Sequence, residues 1–424
     1  MKVFKFGGAS VKSADEVRNL AAILQNYKTE KLILVVSAMG KMTNALEKVI
    51  NAWYNEPEQL EEAVKGVIDF HEEVLGQLFP ARSNPVYYKT DLLFGELEGY
   101  VSGDHTGNYD YDYDQIVSLG EMISTAIVSE YLNSCGIANI WADVRDIIKT
   151  DKTWRDANVD WDTTALKAKE ILLPQLSANG SIVVTQGFLG GTENGFTTTL
   201  GREGSDYTAS ILAYSLDAEE VVVWKDVPGI LDADPRFFEN TSLLKSISYN
   251  EAIELTYYGA SVIHPKTIKP LQNKQIPLKV KSFLQPEKEG TLVGGSGIDD
   301  TAAKSIILKQ NQTLVTFKSR DFSFIAEKNL SEIFAALAEC HIRVNLMQQS
   351  AISFTVCFDE NEMRFNKLLS LLQDKFECRF NEKLLLITIR HYDQLTINAV
   401  LKGREPKAEQ RSRTTAQFVV DREG

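Results

Sequence analysis

Short apolar runs alternate along the first two thirds of the chain with stretches of helical spacing. Val3–Phe6 reads as a strand, Ala14–Asn26 as an amphipathic helix, and Leu32–Val36 as a buried, uninterrupted apolar strand. Met42–Trp53 returns to the helical period, and the next segment is rich in helix, over Gln59–Leu78, Leu92–Glu98 and Gln115–Asn133. Strands resume at Ile137–Ala142, Ser181–Thr185 and Glu220–Trp224, with a helix over Tyr207–Ser215 between the last two. This alternation predicts an α/β fold, a mostly parallel sheet sandwiched by helices. Ligand-binding residues are then expected in the loops that follow the carboxyl ends of the strands.

The pattern changes near Pro286–Asp300, a glycine-rich and charged stretch that suits a domain boundary. Beyond it come strand Thr313–Phe317, helix Leu330–Cys340, strands Ile342–Met347 and Ser353–Phe358, helix Arg364–Asp374 and strand Leu384–Ile389. That βαββαβ order is the ferredoxin-like, split βαβ arrangement. A polar stretch, Lys402–Arg413, precedes a final strand, Thr415–Val420. The expected division is a domain over 1–295 and a second region over 305–424.

Composition narrows the class. With 424 residues, the chain exceeds what one compact core usually organises, and 44% hydrophobic with 24% charged residues is the balance of a globular enzyme. A net charge of −13 argues against nucleic acid or an anionic membrane as partner. An anionic nucleotide is still accessible where lysine, glycine amides or a metal concentrate locally. The four cysteines, Cys135, Cys340, Cys357 and Cys378, form no CxxC pair and no zinc-ligand spacing, and are expected as buried free thiols in a reducing compartment. Met1–Phe6 runs straight into a strand, without the apolar region of a signal peptide, so a cytoplasmic location is expected.

Four constellations carry candidate chemistry. In Lys5-Phe6-Gly7-Gly8-Ala9-Ser10 a strand ends in a double glycine before a helix, so that amides and a lysine can cradle a phosphate. A tight βα turn with a snorkelling lysine explains the same residues equally well, and the segment is neither a Walker A loop nor G-x-G-x-x-G. In Thr197–Tyr207, hydroxyls, two glycines and Arg202 converge before a helix; Ser205 or Asp206 suits its cap, and Arg202 suits a carboxylate clamp. Trp224–Arg236 is a strand exit with a Pro228-Gly229 turn, crowded with charges of both signs, as nucleotide and metal binding would require. Ser118-Leu119-Gly120-Glu121 opens an apolar helix, where a glutamate supports the helix dipole or binds an ammonium. The run Tyr109–Asp114 is read as a polar loop without function.

Taken in order, these segments resemble the aspartate kinases of the amino-acid kinase family. The resemblance rests on Lys5–Val11, Ser37-Ala38 with Thr43, Ser118–Glu121, Trp141–Arg145, Gln186-Gly187-Phe188, Thr197–Tyr207, Asp226–Ile230 with Asp232–Arg236, and Tyr258–Pro265, and so covers nearly the whole chain. It implies the amino-acid kinase fold followed by an ACT region, and ATP-dependent phosphorylation of the side-chain carboxylate of L-aspartate to 4-phospho-L-aspartate. That reaction opens lysine, threonine and methionine biosynthesis. It further implies that Lys5 and Asp206 are catalytic, and that Lys5, Phe6, Gly7, Gly8, Lys225, Asp226, Leu231, Asp232 and Arg236 bind the nucleotide. Arg202 would take the substrate α-carboxylate and Glu121 its ammonium, with Ser37, Ala38, Thr43, Phe188 and Ser205 around them. Mg²⁺ would be held mainly by the ATP phosphates, without dedicated protein ligands. A homodimer or higher homo-oligomer, and an amino-acid effector at the ACT region, are implied as well.

Three departures stand out. Ala9 replaces the commoner threonine, Glu203 puts a negative charge into the Gly201–Gly204 loop, and Ser261 stands where many relatives carry a nucleotide-contacting lysine. The second ACT module, over Tyr392–Val420, is reduced to one helical piece and one strand, which puts feedback inhibition by lysine or threonine in question. Two alternatives stay open: another carboxylate or carbamate kinase of the same fold, acting on glutamate or acetylglutamate, and an amino-acid-binding regulatory protein with a decayed kinase site.

Overall fold

In the computed structural model, which describes residues 1–177, 181–260, 263–295, 297–320 and 323–422, the apolar runs of the N-terminal part form the centre of a parallel sheet. Lys2–Phe6 (β1) pairs in parallel with Leu32–Val36 (β2), with Lys5 opposite Val35 and Phe6 opposite Val36. Asn139–Ala142 (β3) and Ile182–Gln186 (β4) extend the sheet beyond β2, whereas Leu189–Gly191 (β5) and Thr197–Thr199 (β6) form a separate antiparallel pair. Glu220–Lys225 (β7), Ser246–Ser248 (β8), Leu278–Ser282 (β9) and Thr291–Gly294 (β10) complete the order β3-β4-β2-β1-β7-β9-β10-β8. Only β9 with β10 is antiparallel.

Side chains alternate across the sheet. Phe4, Phe6, Leu34, Val36, Val184 and Trp224 point into one core shared with helices Ala14–Gln25 (α1), Met42–Asn55 (α2), Leu60–Leu78 (α3) and Pro85–Val101 (α4). Ser13 caps α1, and Asn84 with Pro85 starts α4 seven residues before the expected Leu92. The expected long helix over Gln115–Asn133 is two helices, Tyr109–Val117 (α5) and Leu119–Ser134 (α6), meeting at Ser118. The expected polar loop over Tyr109–Asp114 is therefore helical. Asn108 caps it, Asp112 and Asp114 are fully buried, and Asp112 accepts from the hydroxyls of Tyr54 and Tyr100. Next come the short helix Val144–Ile147 (α7), Trp161–Gln175 (α8) and Gly204–Ser215 (α9), of which α9 packs against β1, β2 and β7. Helices Tyr249–Tyr258 (α10) and Pro265–Lys274 (α11) follow.

Packing divides the chain into two units, the first spanning 1–230, 245–252 and 262–298, the second 231–244, 253–261 and 299–424. The second unit is built on a six-stranded antiparallel sheet. Its strands are Ser305–Ser319 (β11), Val344–Gln349 (β12), Ser353–Asp359 (β13), Phe376–Arg390 (β14), Ala408–Arg411 (β15) and Thr415–Val420 (β16), in the order β12-β13-β11-β14-β16-β15. With helices Glu327–Glu339 (α12) and Glu362–Leu372 (α13), the order β11-α12-β12-β13-α13-β14 is the βαββαβ arrangement. Strands β11 and β14 run 15 residues each, with register shifts near Gln312, and so serve two groups of strands. The second group carries the single helix Gln394–Val400 (α14), and β15 lies within the stretch 402–413 that its polarity marks as strandless.

Cys340 and Cys357 are buried and Cys378 half-buried, but Cys135, at the C-terminal cap of α6, is exposed, contrary to the expectation for all four. No helix among the described residues is long and apolar enough to cross a membrane.

Candidate active site

The carboxyl ends of β1, β2, β4 and β7 converge, and the loops leaving them carry most of the residues singled out by the sequence. Lys5 lies near the end of β1, between Val35 and Val223, and is 7% exposed. Its ammonium finds the partner that such burial demands: Lys5 Nζ is 2.6 Å from Asp206 Oδ1. Lys225 Nζ, at the end of β7, is 3.5 Å from the other oxygen of the same carboxylate. Burial alone would raise the Asp206 pKa, yet the two ammonium groups outweigh it and hold the carboxyl below the usual range. Two ammonium groups against one carboxylate leave a net positive charge at the sheet edge.

Neither Ser205 nor Asp206 caps α9, as the sequence had suggested. The N-cap is Glu203, in the left-handed region at φ 56°, and it makes no side-chain cap bond; Ser205 and Asp206 sit inside the first turn. There the helix dipole favours the Asp206 charge.

The glycine loop leads through one extra turn to the helix, which begins at Ala14 as expected. Gly8–Val11 forms one 3₁₀ turn, and α1 begins only after Ser13. The loop is strapped to its neighbour after β2, with Gly40 N–H donating to Gly8 O at 3.0 Å. A Cβ at Gly8 would lie 2.7 Å from Gly40 O and 2.9 Å from Ala38 O, so glycine is required by the close approach of two backbones. Phe6 stacks on Trp224 with ring centroids 5.6 Å apart inside the core, so only its backbone is free to face a nucleotide.

Beside Lys5 opens a cavity of about 510 Å³, lined by Lys5, Ser37, Thr43, Glu121, Phe188, Arg202, Ser205 and Asp206 among others. Glu121, in the first turn of α6, is 2% exposed. Its Oε1 accepts from Ala38 N–H at 3.2 Å, whereas Oε2 is buried without a hydrogen-bond partner. Burial pushes its carboxyl up to about 8, against the opposing pull of the Ala38 amide and Lys5. A buried acceptor left open beside a cavity is the place for a cationic ligand group. Phe188 holds φ 69° and donates its N–H to Thr208 Oγ1 at 2.9 Å. At Gly187 a Cβ would come within 2.4 Å of Ser205 Cβ, which explains the glycine between β4 and Phe188. Arg202 and Glu203 are exposed at the cavity wall.

Asn44, Tyr113 and Arg155 line the same cavity and were missed by sequence reasoning. The signal lay in the disregarded run Tyr109–Asp114. Asp114 accepts from Thr199 Oγ1 at 2.6 Å, from Thr199 N–H at 3.0 Å and from Arg155 N–H at 3.1 Å, tying α5 to β6 and to the Arg155 loop.

Asp226 is exposed just after β7. Leu231, Asp232 and Arg236 belong to the second unit. There Asp232 Oδ1 accepts from Ser242 N–H at 2.7 Å, and Arg236 pairs with Asp234 at 2.5 Å. Ser261 lies outside the described residues.

The sheet, the lysine–aspartate pair at its edge and the adjoining cavity walled by Glu121 and Arg202 suit a phosphotransferase that acts on a small carboxylate. Residues 1–282 match the family described as the amino acid kinase family. The chain is 33% identical to lysine-sensitive aspartokinase 3 of Escherichia coli (strain K12), over 84% of this chain and 78% of that protein. Two solved structures of Escherichia coli aspartokinase III, each 29% identical, cover 99% of this chain and 96% of theirs. The one with lysine and aspartate has a TM-score of 0.84, and the one with aspartate and ADP has 0.81. The chain belongs to the amino acid kinase family, on its aspartokinase branch.

Proposed function

We propose that this chain transfers the γ-phosphoryl group of ATP to the side-chain carboxylate of L-aspartate, giving 4-phospho-L-aspartate for amino-acid biosynthesis. The observation that carries this reading is the open buried oxygen of Glu121, in one cavity with Arg202 and with the Lys5–Asp206 pair. An amino acid with an acidic side chain offers an ammonium for Glu121, an α-carboxylate for the Arg202 fork, and a second carboxylate towards Lys5.

The chemistry needs no general base, because the attacking carboxylate is already ionised at neutral pH. The obstacle is the meeting of two anions, and the residues at the sheet edge oppose it. Gly7 and Gly8 amides present donors to the phosphates, and Lys5, oriented by Asp206, neutralises charge that grows on the transferring group. Lys225 supplies a second cation from the other side of Asp206. Phe188 and Thr43 wall the cavity and limit water. Mg²⁺, carried on the nucleotide phosphates, would add positive charge at the transferring group. The assignment of Phe6, Asp226, Leu231, Asp232 and Arg236 to the nucleotide is supported by the sequence resemblance.

We assign residues 1–295 to the catalytic domain and 305–424 to an ACT region with a reduced second module, which suits a homo-oligomer and an amino-acid effector. Titrating lysine and threonine against activity tests the effector.

The test of the main reading is a hydroxamate assay on the purified chain with ATP and L-aspartate, L-glutamate, N-acetylglutamate or no acceptor. Product with aspartate alone is expected. Nucleotide binding without any acyl phosphate would favour a regulatory protein, and product with another acceptor would move the chain to a different carboxylate kinase.

A further inference from the structure

Arg155 is one of nine non-glycine residues with positive φ among the described residues, at φ 66°. A long side chain there costs backbone strain that glycine would avoid. The strain is enforced from outside the loop: the buried Asp114 carboxylate accepts the Arg155 N–H with both oxygens, at 3.2 and 3.1 Å, while its other bonds fix Thr199. Thr199 O in turn accepts Ala157 N–H at 3.0 Å, so the loop is held at Arg155 and again at Ala157.

The side chain itself gives little back to the fold. Its guanidinium lies 4.4 Å from the Tyr113 ring centre, and Nη1 is 3.1 Å from Asp110 Oδ1. That ion pair is about half exposed on both sides, and such pairs contribute little. Tyr113 is already anchored by its hydroxyl to Glu47 at 2.7 Å. What the geometry achieves is a guanidinium placed on an aromatic face at the wall of the cavity that holds Glu121, Arg202 and Lys5. Arg155 and Arg202 also share the wall of a neighbouring cavity of about 500 Å³, so the two forks stand at the same end of the site. Strain retained at a cavity wall, where the side chain makes only exchangeable contacts, points to a ligand.

We infer that Arg155 is a specificity-determining residue that takes the α-carboxylate of the amino-acid substrate together with Arg202. The inference rests on the aspartate reading above. In the free protein Arg155 is parked on Asp110, and the incoming carboxylate replaces that weak partner with a fork-to-fork pair over Tyr113.

Arg155→Gly is the informative variant, because glycine suits φ 66° and the loop keeps its fold. With L-aspartate, kcat/KM is expected to fall about 10- to 30-fold, nearly all in KM, the size of a lost charge-assisted contact. With the α-amide of L-aspartate, which keeps the reacting carboxylate but lacks the α-charge, the variant and the unmodified chain should agree within about twofold. Where the amide turns over too slowly, its Ki against aspartate gives the same ratio. The Tm of Arg155→Gly should rise, whereas Arg155→Lys should keep the strain and recover only part of the affinity. Equal losses with aspartate and its amide, or no loss with either, would overturn the inference while leaving the aspartate reading intact. Failure of the unmodified chain to make aspartyl phosphate would remove both, and is seen before any variant is made.

Discussion

Lys5 and Asp206 form a buried ion pair, 2.6 Å between Nζ and Oδ1, at the carboxyl edge of the parallel sheet, with no solvent access to the carboxylate. Such a pair orients the ammonium in advance of substrate, which is what a charge partner of the transition state requires. Lys5→Ala is expected to lower kcat by about 10²–10³-fold with a small change in either KM, measured in the hydroxamate assay. It also strands Asp206 with Lys225 alone, so a stability loss of about 3–5 kcal/mol is expected in urea unfolding at neutral pH. The sign of the pH dependence follows from the depressed Asp206 pKa. The stability that the pair contributes is present above the unfolded carboxylate pKa and is lost as pH falls through the lower folded value, so the deficit of the variant should shrink in acid. A variant with unchanged kcat would take Lys5 out of the mechanism.

Glu121 sets the pH dependence of substrate binding. Its carboxyl is pushed up to about 8 by burial, so at pH 7 the free site holds it largely protonated, whereas an ammonium ligand needs it ionised. Aspartate binding should therefore release about one proton at pH 7, measurable by calorimetry in buffers of different ionisation heat, and tighten as pH rises towards 8. Glu121→Gln should raise the KM for aspartate by about 100-fold or more. Because the folded pKa is raised, native stability from this group is highest below the unfolded value and falls as pH rises through the window to about 8. The Gln variant lacks that fall, so its Tm should gain on the unmodified chain with increasing pH. Binding without proton release would contradict this account.

The parts of the fold that were legible are those where one physical signal dominates. Leu32–Val36 is apolar throughout because β2 is buried on both faces, and the strand bounds read from the sequence are the observed ones. Lys5, Glu121, Arg202 and Asp206, singled out from the sequence, line one cavity, although nothing in their spacing distinguishes a cap at Asp206 from an ion pair made from α9 to Lys5 on β1. The run Tyr109–Asp114 was illegible for a different reason. Its strict two-residue alternation hides a helix, and its buried carboxylates draw donors from far along the chain, among them Tyr54, Arg155 and Thr199. Helix α8 was unseen because its apolar stripe is weak and Pro174 lies in its last turn.

Asp114 is the hub of that hidden helix, and its removal should be felt twice. Asp114→Ala leaves Thr199 and the Arg155 amide without their buried acceptor, a loss expected to cost about 3 kcal/mol or more of stability. It also frees the Arg155 loop, so the KM for aspartate should rise several-fold even at temperatures where the variant is fully folded. Asp114→Asn keeps the shape and one acceptor oxygen and should fall between the two. A variant that loses stability with an unchanged KM would show that the clamp serves the fold alone.

Glu203 is the departure whose effect the structure makes testable. It occupies the N-cap of α9 at φ 56°, is exposed, and lines the cavity beside Arg202. Backbone and charge therefore act through separate substitutions. Glu203→Gly relieves a left-handed non-glycine residue, worth about 1 kcal/mol, and removes a negative charge from the path of two anionic substrates. Glu203→Gln removes the charge and keeps the strain. Both should lower the KM for aspartate about two- to fivefold at low salt, with the gain fading as ionic strength rises. Only the glycine variant should raise the Tm. Should Glu203→Gln leave KM unchanged while Glu203→Gly lowers it, the loop conformation rather than the charge controls access to the site.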